Sequence, residues 1–301
     1  MPLMPLLAKL IPLIAVVPVL AGQAGGQQSS TADVVAIGKD RYDRMTVPVR
    51  IGEHGPFQFL IDTGAQNTVL SIALAARLSL VPNRRAKLIG VAGTMMVDTV
   101  HIEEIGLGRR SYYSLVAPLL EGADIGADGI VGLDSLQDQR VLLDFKRGLI
   151  AIDDAKNLGG NRGFEIVVHA RRRSGQLIMT EARIDGVRVE VVIDTGAETS
   201  IGNLALRNAL SRRRDHGTTT LTSVTGQQVE ASIGYARTLE IASIAFNNVL
   251  IAYADSPAFD ALQLSKKPAL LLGMRDMRSL ERVAIDFQSR KVLFDVPPGV
   301  L

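Results

Sequence analysis

The sequence contains no cysteine and no tryptophan, and only four histidines. Without cysteine there can be no disulfide, no thiolate metal site and no thiol nucleophile. The chain must therefore hold itself together by burying apolar surface, which 301 residues can do in two domains. Aromatic residues make up 4% against 47% apolar residues, so that core must be mainly aliphatic. Charge imbalance is also missing: 33 basic residues face 31 acidic ones, a net charge of +2. Such a balance gives no electrostatic reason to expect a nucleic-acid or membrane-surface partner. The runs Arg171–Arg173 and Arg212–Arg214 carry no interleaved aromatics and read as a solvated loop and a helix end. His54, His101, His169 and His216 stand singly, and neither His-Glu-x-x-His nor Gly-x-Ser-x-Gly occurs. Gly106-Leu107-Gly108 lacks the third glycine of a dinucleotide loop and reads as a hairpin turn. Asp124, Asp128 and Asp134 fit no calcium-loop spacing. No metal and no cofactor is expected.

Charge is scarcest at the N-terminus, where Lys9 is the only charged residue before Thr31. The apolar run Leu10–Ala21, broken by Pro12 and Pro18, is short for a membrane span but suits the hydrophobic region of a secretory signal. Residues 1–24 are expected to be a signal peptide, or an anchor if uncleaved, and residues 25–44 a linker or pro-segment. The chain is thus expected to be exported, periplasmic or secreted, and to meet a membrane only if the first segment is retained.

What the sequence does have is a copy of itself. Phe59-Leu60-Ile61-Asp62-Thr63-Gly64-Ala65 returns as Val191-Val192-Ile193-Asp194-Thr195-Gly196-Ala197. One Asp-Thr-Gly in a chain of this length arises by chance roughly one time in twenty, and two with matching apolar approaches far more rarely. The surroundings repeat in the same order. Two alternating runs joined by a Gly-bearing turn precede each motif, Val47–Gly52 with Phe57–Ile61 and Met179–Gly186 with Val187–Ile193, and these predict β-hairpins that end on the Asp. Helix-period stretches follow at Ser71–Leu80 and Leu204–Arg212, then turns carrying Gly93 and Gly226. Each half next shows an apolar strand ending in Gly, at Gly132 and Gly273. Each closes on a similar pair, Val141-Leu142-Leu143-Asp144-Phe145 and Val283-Ala284-Ile285-Asp286-Phe287. The boundary falls in the polar, Gly-rich stretch 157–163. The expected domains are an N-terminal lobe over 45–156 and a C-terminal lobe over 164–301.

These residues resemble the aspartic proteases, and the retropepsin-like type in particular, whose Asp-Thr-Gly-Ala stands here at both sites. Asp128-Gly129-Ile130-Val131-Gly132-Leu133-Asp134 is similar to the second signature of exported bacterial members of that family. The resemblance implies a mostly β fold of two related, barrel-like lobes with short helices around a pseudo-twofold axis, and a substrate cleft between them. It implies a monomer that contains its own pseudo-dimer. Asp62 and Asp194 would be the catalytic pair, with Thr63, Gly64, Ala65, Thr195, Gly196 and Ala197 in support and Gly93 and Gly226 on flaps over the substrate. The Thr hydroxyls would reach across to the opposite loop. Two departures stand out: the second half lacks the Asp-Gly before its apolar-Gly strand, reading Pro268-Ala269-Leu270-Leu271-Leu272-Gly273 instead, and neither flap turn has a Tyr nearby.

The chemistry explains the residue types. Hydrolysis by carboxylates needs one group to take a proton from water and another to give one to the peptide. Two facing Asp side chains cannot both ionise, so they hold one proton between them and divide that labour. The expected function is an aspartic endopeptidase acting on protein or peptide segments. The alternative is a catalytically inactive peptide-binding protein of the same fold.

Overall fold

A computed structural model of the chain describes residues 45–210 and 217–297, preceded by two short strands at Val34–Val35 and Gly38–Lys39. The signal or anchor expected over residues 1–24, the run Arg212–Arg214 and His216 lie outside the described residues. No helix among the described residues is long and apolar enough to cross a membrane.

The first half runs β1 (Val34–Val35), β2 (Gly38–Lys39), β3 (Met45–Ile51), β4 (His54–Ile61), β5 (Val69–Ser71), α1 (Ile72–Arg77), β6 (Arg84–Gly90), β7 (Gly93–Leu107), β8 (Arg110–Leu120), α2 (Gly122–Ile125), β9 (Gly129–Val131), α3 (Leu133–Leu136), β10 (Arg140–Asp144) and β11 (Leu149–Asp153). The second runs β12 (Ile166–His169), β13 (Arg171–Arg173), β14 (Gln176–Ile184), β15 (Val187–Ile193), β16 (Ser200–Gly202), α4 (Leu204–Ala209), β17 (Thr218–Thr222), β18 (Gln228–Ile241), β19 (Ile244–Tyr253), α5 (Pro257–Ala261), β20 (Ala269–Leu272), α6 (Met274–Met277), β21 (Arg282–Asp286) and β22 (Lys291–Asp295).

Alternation explains the strands: in β7 the buried positions include Val97, Ile102, Ile105 and Leu107, with polar residues between them facing out. The helices are shorter than their apolar period predicts. Ser71 caps α1 by accepting the Leu74 N–H, and the chain leaves the helix through Ser79, which takes a left-handed φ of +54°. Asn203 caps α4 in the same way through the Leu206 N–H.

The strand orders β2-β3-β4-β9-β5-β8-β7-β6 and β13-β14-β15-β20-β16-β19-β18-β17 correspond strand for strand. Even the extra pairings β3–β7 and β14–β18, which curl each sheet toward a barrel, recur. The fold is therefore mostly β, with two related lobes and short helices. The repeat begins before residue 45: β1 and β2 occupy the places that β12 and β13 hold in the second half.

The sequence pattern does not disclose how the lobes join. The closing signatures of the two halves pair with each other, β10 antiparallel to β21, at the centre of a six-stranded sheet ordered β1-β11-β10-β21-β22-β12. Leu142 faces Ala284 at its middle, and the register reads the same from either side, Arg140 opposite Asp286 and Asp144 opposite Arg282. Arg140, 1% exposed, pairs with Asp286 at 2.7 Å. Burial opposes ionisation of Asp286, but the Ser289 N–H and the Arg140 guanidinium outweigh it and hold the carboxyl below its ordinary value.

Because Arg140→Met would leave a buried carboxylate short of its partner, it should cost about 3–5 kcal/mol in urea unfolding at neutral pH. Asp286 has a depressed folded pKa, so its contribution is present above its unfolded value of 3.8 and is lost as pH falls through the folded value. The gap between wild type and variant should accordingly narrow at about pH 3.

Candidate active site

Asp62 and Asp194 stand at the ends of β4 and β15, each beside a parallel neighbour. The Asp62 N–H donates to the Val131 carbonyl at 3.1 Å and the Asp194 N–H to that of Leu272 at 3.0 Å, the last rungs before the chain turns. Within the turn Asp62 Oδ1 accepts the N–H groups of Gly64 (2.7 Å) and Ala65 (3.0 Å). Asp194 Oδ1 accepts those of Gly196 (3.0 Å) and Ala197 (3.2 Å).

Both glycines are required by space. A β-carbon on Gly64 would lie 2.8 Å from Asp194 Oδ1 and 3.1 Å from Asp62 Oδ1, and one on Gly196 would overlap the Asp62 carboxylate. A single point touching both side chains places the two carboxylates face to face.

The threonines between them exchange hydrogen bonds across the lobes. Thr63 Oγ1 donates to the Ile193 carbonyl (2.8 Å) and Thr195 Oγ1 to that of Ile61 (2.7 Å). In return the Thr195 N–H donates to Thr63 Oγ1 (3.3 Å) and the Thr63 N–H to Thr195 Oγ1 (3.0 Å). Residues 132 apart in sequence are thereby locked in one register. All of these groups are buried, so each unmade bond would leave an unsatisfied polar atom.

The electrostatics follow. Asp194 is 7% exposed. Burial, the negative charge of Asp62 and a carboxyl–carboxyl hydrogen bond with it raise the Asp194 pKa from 3.8 to about 7, against the two backbone N–H donors that favour the charged form. Near neutrality the pair retains a proton, and its titration belongs to both groups together.

Two family models match the chain. Residues 47–138 match one described as "gag-polyprotein putative aspartyl protease", and residues 180–275 match one described as "Aspartyl protease". The matches lie in tandem, one per lobe, and each contains one of the facing aspartates. The chain belongs to the retropepsin-like aspartic proteases. No curated protein matches it.

In this retropepsin-like chain the hairpins β6–β7 and β17–β18 carry Gly93 and Gly226 at their turns, and their tips meet. A β-carbon on Gly93 would lie 3.0 Å from Gln227 Oε1, and Gln227 Nε2 donates to the Thr94 carbonyl at 3.4 Å. The tips are also exchanged. Val91, from the first lobe, packs on the apolar cluster of Ile178, Val192, Ile201 and Leu271 in the second. Val224, from the second lobe, packs on Leu60, Val69, Ile125 and Ile130 in the first, the cluster that Ala65 also joins.

Supporting residues that the sequence motifs do not include lie just beyond each turn. Thr68 donates to Asp134 Oδ1 (2.7 Å) and accepts the Gly132 N–H (3.3 Å). Ser200 accepts the Gly273 N–H (3.0 Å) and donates to Asp276. A hydroxyl at the same offset from each Asp is the signal that marks them. The missing Asp-Gly of the second half is also accounted for. Asp128 accepts the Gln58 N–H (2.8 Å), whereas at the matching place the Glu190 N–H donates to the Pro268 carbonyl (2.9 Å) and Asn203 anchors this segment by accepting the Ala269 N–H (3.2 Å) and donating to the Leu264 and Lys267 carbonyls. Among the described residues no group of three or more His, Asp or Glu is placed to hold a metal.

Thr63→Val and Thr195→Val should each cost about 1–2 kcal/mol in denaturant unfolding, with each lobe's own core left intact. Because the two hydroxyls serve one lattice, a double-mutant cycle should return a coupling of about 0.5 kcal/mol or more. Additive losses would mean that the cross-lobe lattice is not formed.

Proposed function

We propose that the chain is an aspartic endopeptidase in which a water between Asp62 and Asp194 attacks the peptide carbonyl. The observation that carries this reading is the facing pair, with each Oδ1 anchored by two backbone N–H groups and one proton retained between them. The ionised carboxylate takes a proton from water as its oxygen bonds to the carbonyl carbon, while the protonated one gives its proton to the carbonyl oxygen. The tetrahedral diol then collapses: the carboxyl that took the proton from water gives it to the amine nitrogen as the C–N bond breaks, one diol hydroxyl returns its proton to the other carboxylate, and the dyad is again in its one-proton state. No acyl-enzyme forms.

An extended peptide segment suits a site between two β lobes and under two hairpin tips, where strand-like backbone pairing can hold it. We further propose that residues 1–24 direct export, so that substrates are proteins or peptides met in the periplasm or outside the cell, and that one chain suffices as the active unit. The facing aspartates belong one to each half of the same polypeptide, which supports the monomer reading.

Peptide-library cleavage followed by mass spectrometry, across acidic to neutral pH, tests the activity. Asp62→Asn and Asp194→Asn should each lower kcat by about a thousandfold or more, and the double variant should be hardly worse, because the pair acts as a unit. Activity should fall as pH rises through about 7, where the last proton leaves the pair, and chelators should not affect it. Peptide binding without cleavage in the wild type would favour the inactive peptide-binding alternative.

Stability supplies an independent check. Asp194 holds a proton in the folded chain that the unfolded chain releases from about pH 4 upward, so wild-type stability declines between 3.8 and about 7. Asp194→Asn is spared that loss. Its melting temperature should exceed the wild-type value by a few degrees at pH 7, and the difference should shrink toward pH 4.

A further inference from the structure

Gln176, the first residue of β14, is 5% exposed and reaches out of the second lobe into the first: its Nε2 donates to the Gly64 carbonyl at 2.5 Å. A carbonyl can only accept, so the amide must present its NH2 group there. Its Oε1 is then buried with no hydrogen-bond partner. A side chain buried with half its capacity unmet is a poor choice for stability alone.

The contacted carbonyl is not an arbitrary one. Gly64 C=O and Ala65 N–H belong to one peptide group, and that N–H donates to Asp62 Oδ1. A hydrogen bond accepted at the carbonyl end polarises the peptide and makes its N–H a stronger donor. A continuous path therefore runs from the Gln176 amide through one peptide plane to the Asp62 carboxylate. The backbone N–H contacts are also shorter on Asp62, at 2.7 and 3.0 Å, than on Asp194, at 3.0 and 3.2 Å. Each difference favours negative charge on Asp62.

We propose that Gln176 is a positioning residue that assigns the shared proton to Asp194 and the negative charge to Asp62, by polarising the Gly64–Ala65 peptide from the opposite lobe. Asp62 is then the base that takes the proton from water, and Asp194 the acid. The proposal rests on the dyad reading above. Other charged groups near these elements are committed elsewhere: Asp134 to Thr68, Asp276 to Ser200, and the Arg173 guanidinium to the Leu262 and Gln263 carbonyls.

The test follows the dyad's titration by carboxyl 13C NMR, with signals assigned through Asp62→Asn and Asp194→Asn, alongside pH profiles of kcat and KM. In Gln176→Leu the lower apparent pKa of the dyad and the acid limb of kcat/KM should both rise by about one pH unit. Its kcat should fall about tenfold while KM stays within about twofold. Gln176→Glu should be near wild type at acidic pH, where its protonated carboxyl can donate, and should lose activity at lower pH than wild type on the basic limb. Titrations and limbs unchanged in Gln176→Leu, whatever its kcat or melting temperature, would overturn the proposal. So would a Gln176→Glu variant that is folded but inactive at acidic pH. If Gln176→Leu fails to fold, the Gln176→Glu profile decides. If the wild type cleaves no peptide, the endopeptidase reading fails, while the 13C titration still passes judgement on Gln176.

Discussion

Two carboxylates brought together away from water repel one another, and a chain that keeps Asp62 and Asp194 face to face must oppose that repulsion with the rest of its structure. Backbone N–H groups take part of the charge, but they act within each turn and cannot stop the lobes from moving apart. The cross-lobe bonds of Thr63 and Thr195 do so at the site itself. Farther away, the pairing of β10 with β21 makes the two halves one sheet, and the exchanged hairpin tips join them on their apolar clusters. Contact between the halves at three separate levels leaves the dyad little freedom to relax by separation, so it relaxes by keeping a proton.

The duplication is close in topology and broken in detail. Arg140 and Arg282 occupy matching positions, as do Asp144 and Asp286, yet the arginines choose differently. Arg140 crosses to Asp286, while Arg282 turns to Asp295 in its own hairpin and stacks on Phe164 at 4.7 Å. Asp144 accepts the Arg147 N–H at 2.8 Å. Arg140 is thus the fully buried arginine of this matched pair, while the Arg282 side chain keeps contact with water and avoids the full cost of desolvation. The dyad departs from symmetry in the same fashion, with Asp194 buried and Gln176 serving only the Asp62 turn. Symmetry brings the pair together, and its local failure makes the two carboxyl groups chemically unequal.

Much of this architecture is legible in the order of the residues. Repetition of Asp-Thr-Gly-Ala with its hairpin, helix, turn and closing strand declares two copies of one fold, because periodicity and turn residues are local properties that neighbouring residues determine. The facing of Asp62 and Asp194 is implied by resemblance, and the geometry agrees with it. The apolar period alone carries α1 past its true ends, because the capping residue Ser71 and the left-handed Ser79 set those ends instead.

What the sequence determined by itself, then, was the content of each half and the identity of its polar residues. Partner choice was decided only in three dimensions. Arg140 faces Asp153 across one strand pair and Asp286 across the other, and both options read alike in the sequence. The same holds for Val91 and Val224, which each cap the opposite lobe, and for Gln176, whose amide finds a carbonyl 112 residues away. A sequence lists donors, acceptors and apolar surfaces; selection among equivalent partners depends on which of them burial leaves without water, and that is fixed when the two lobes close on each other.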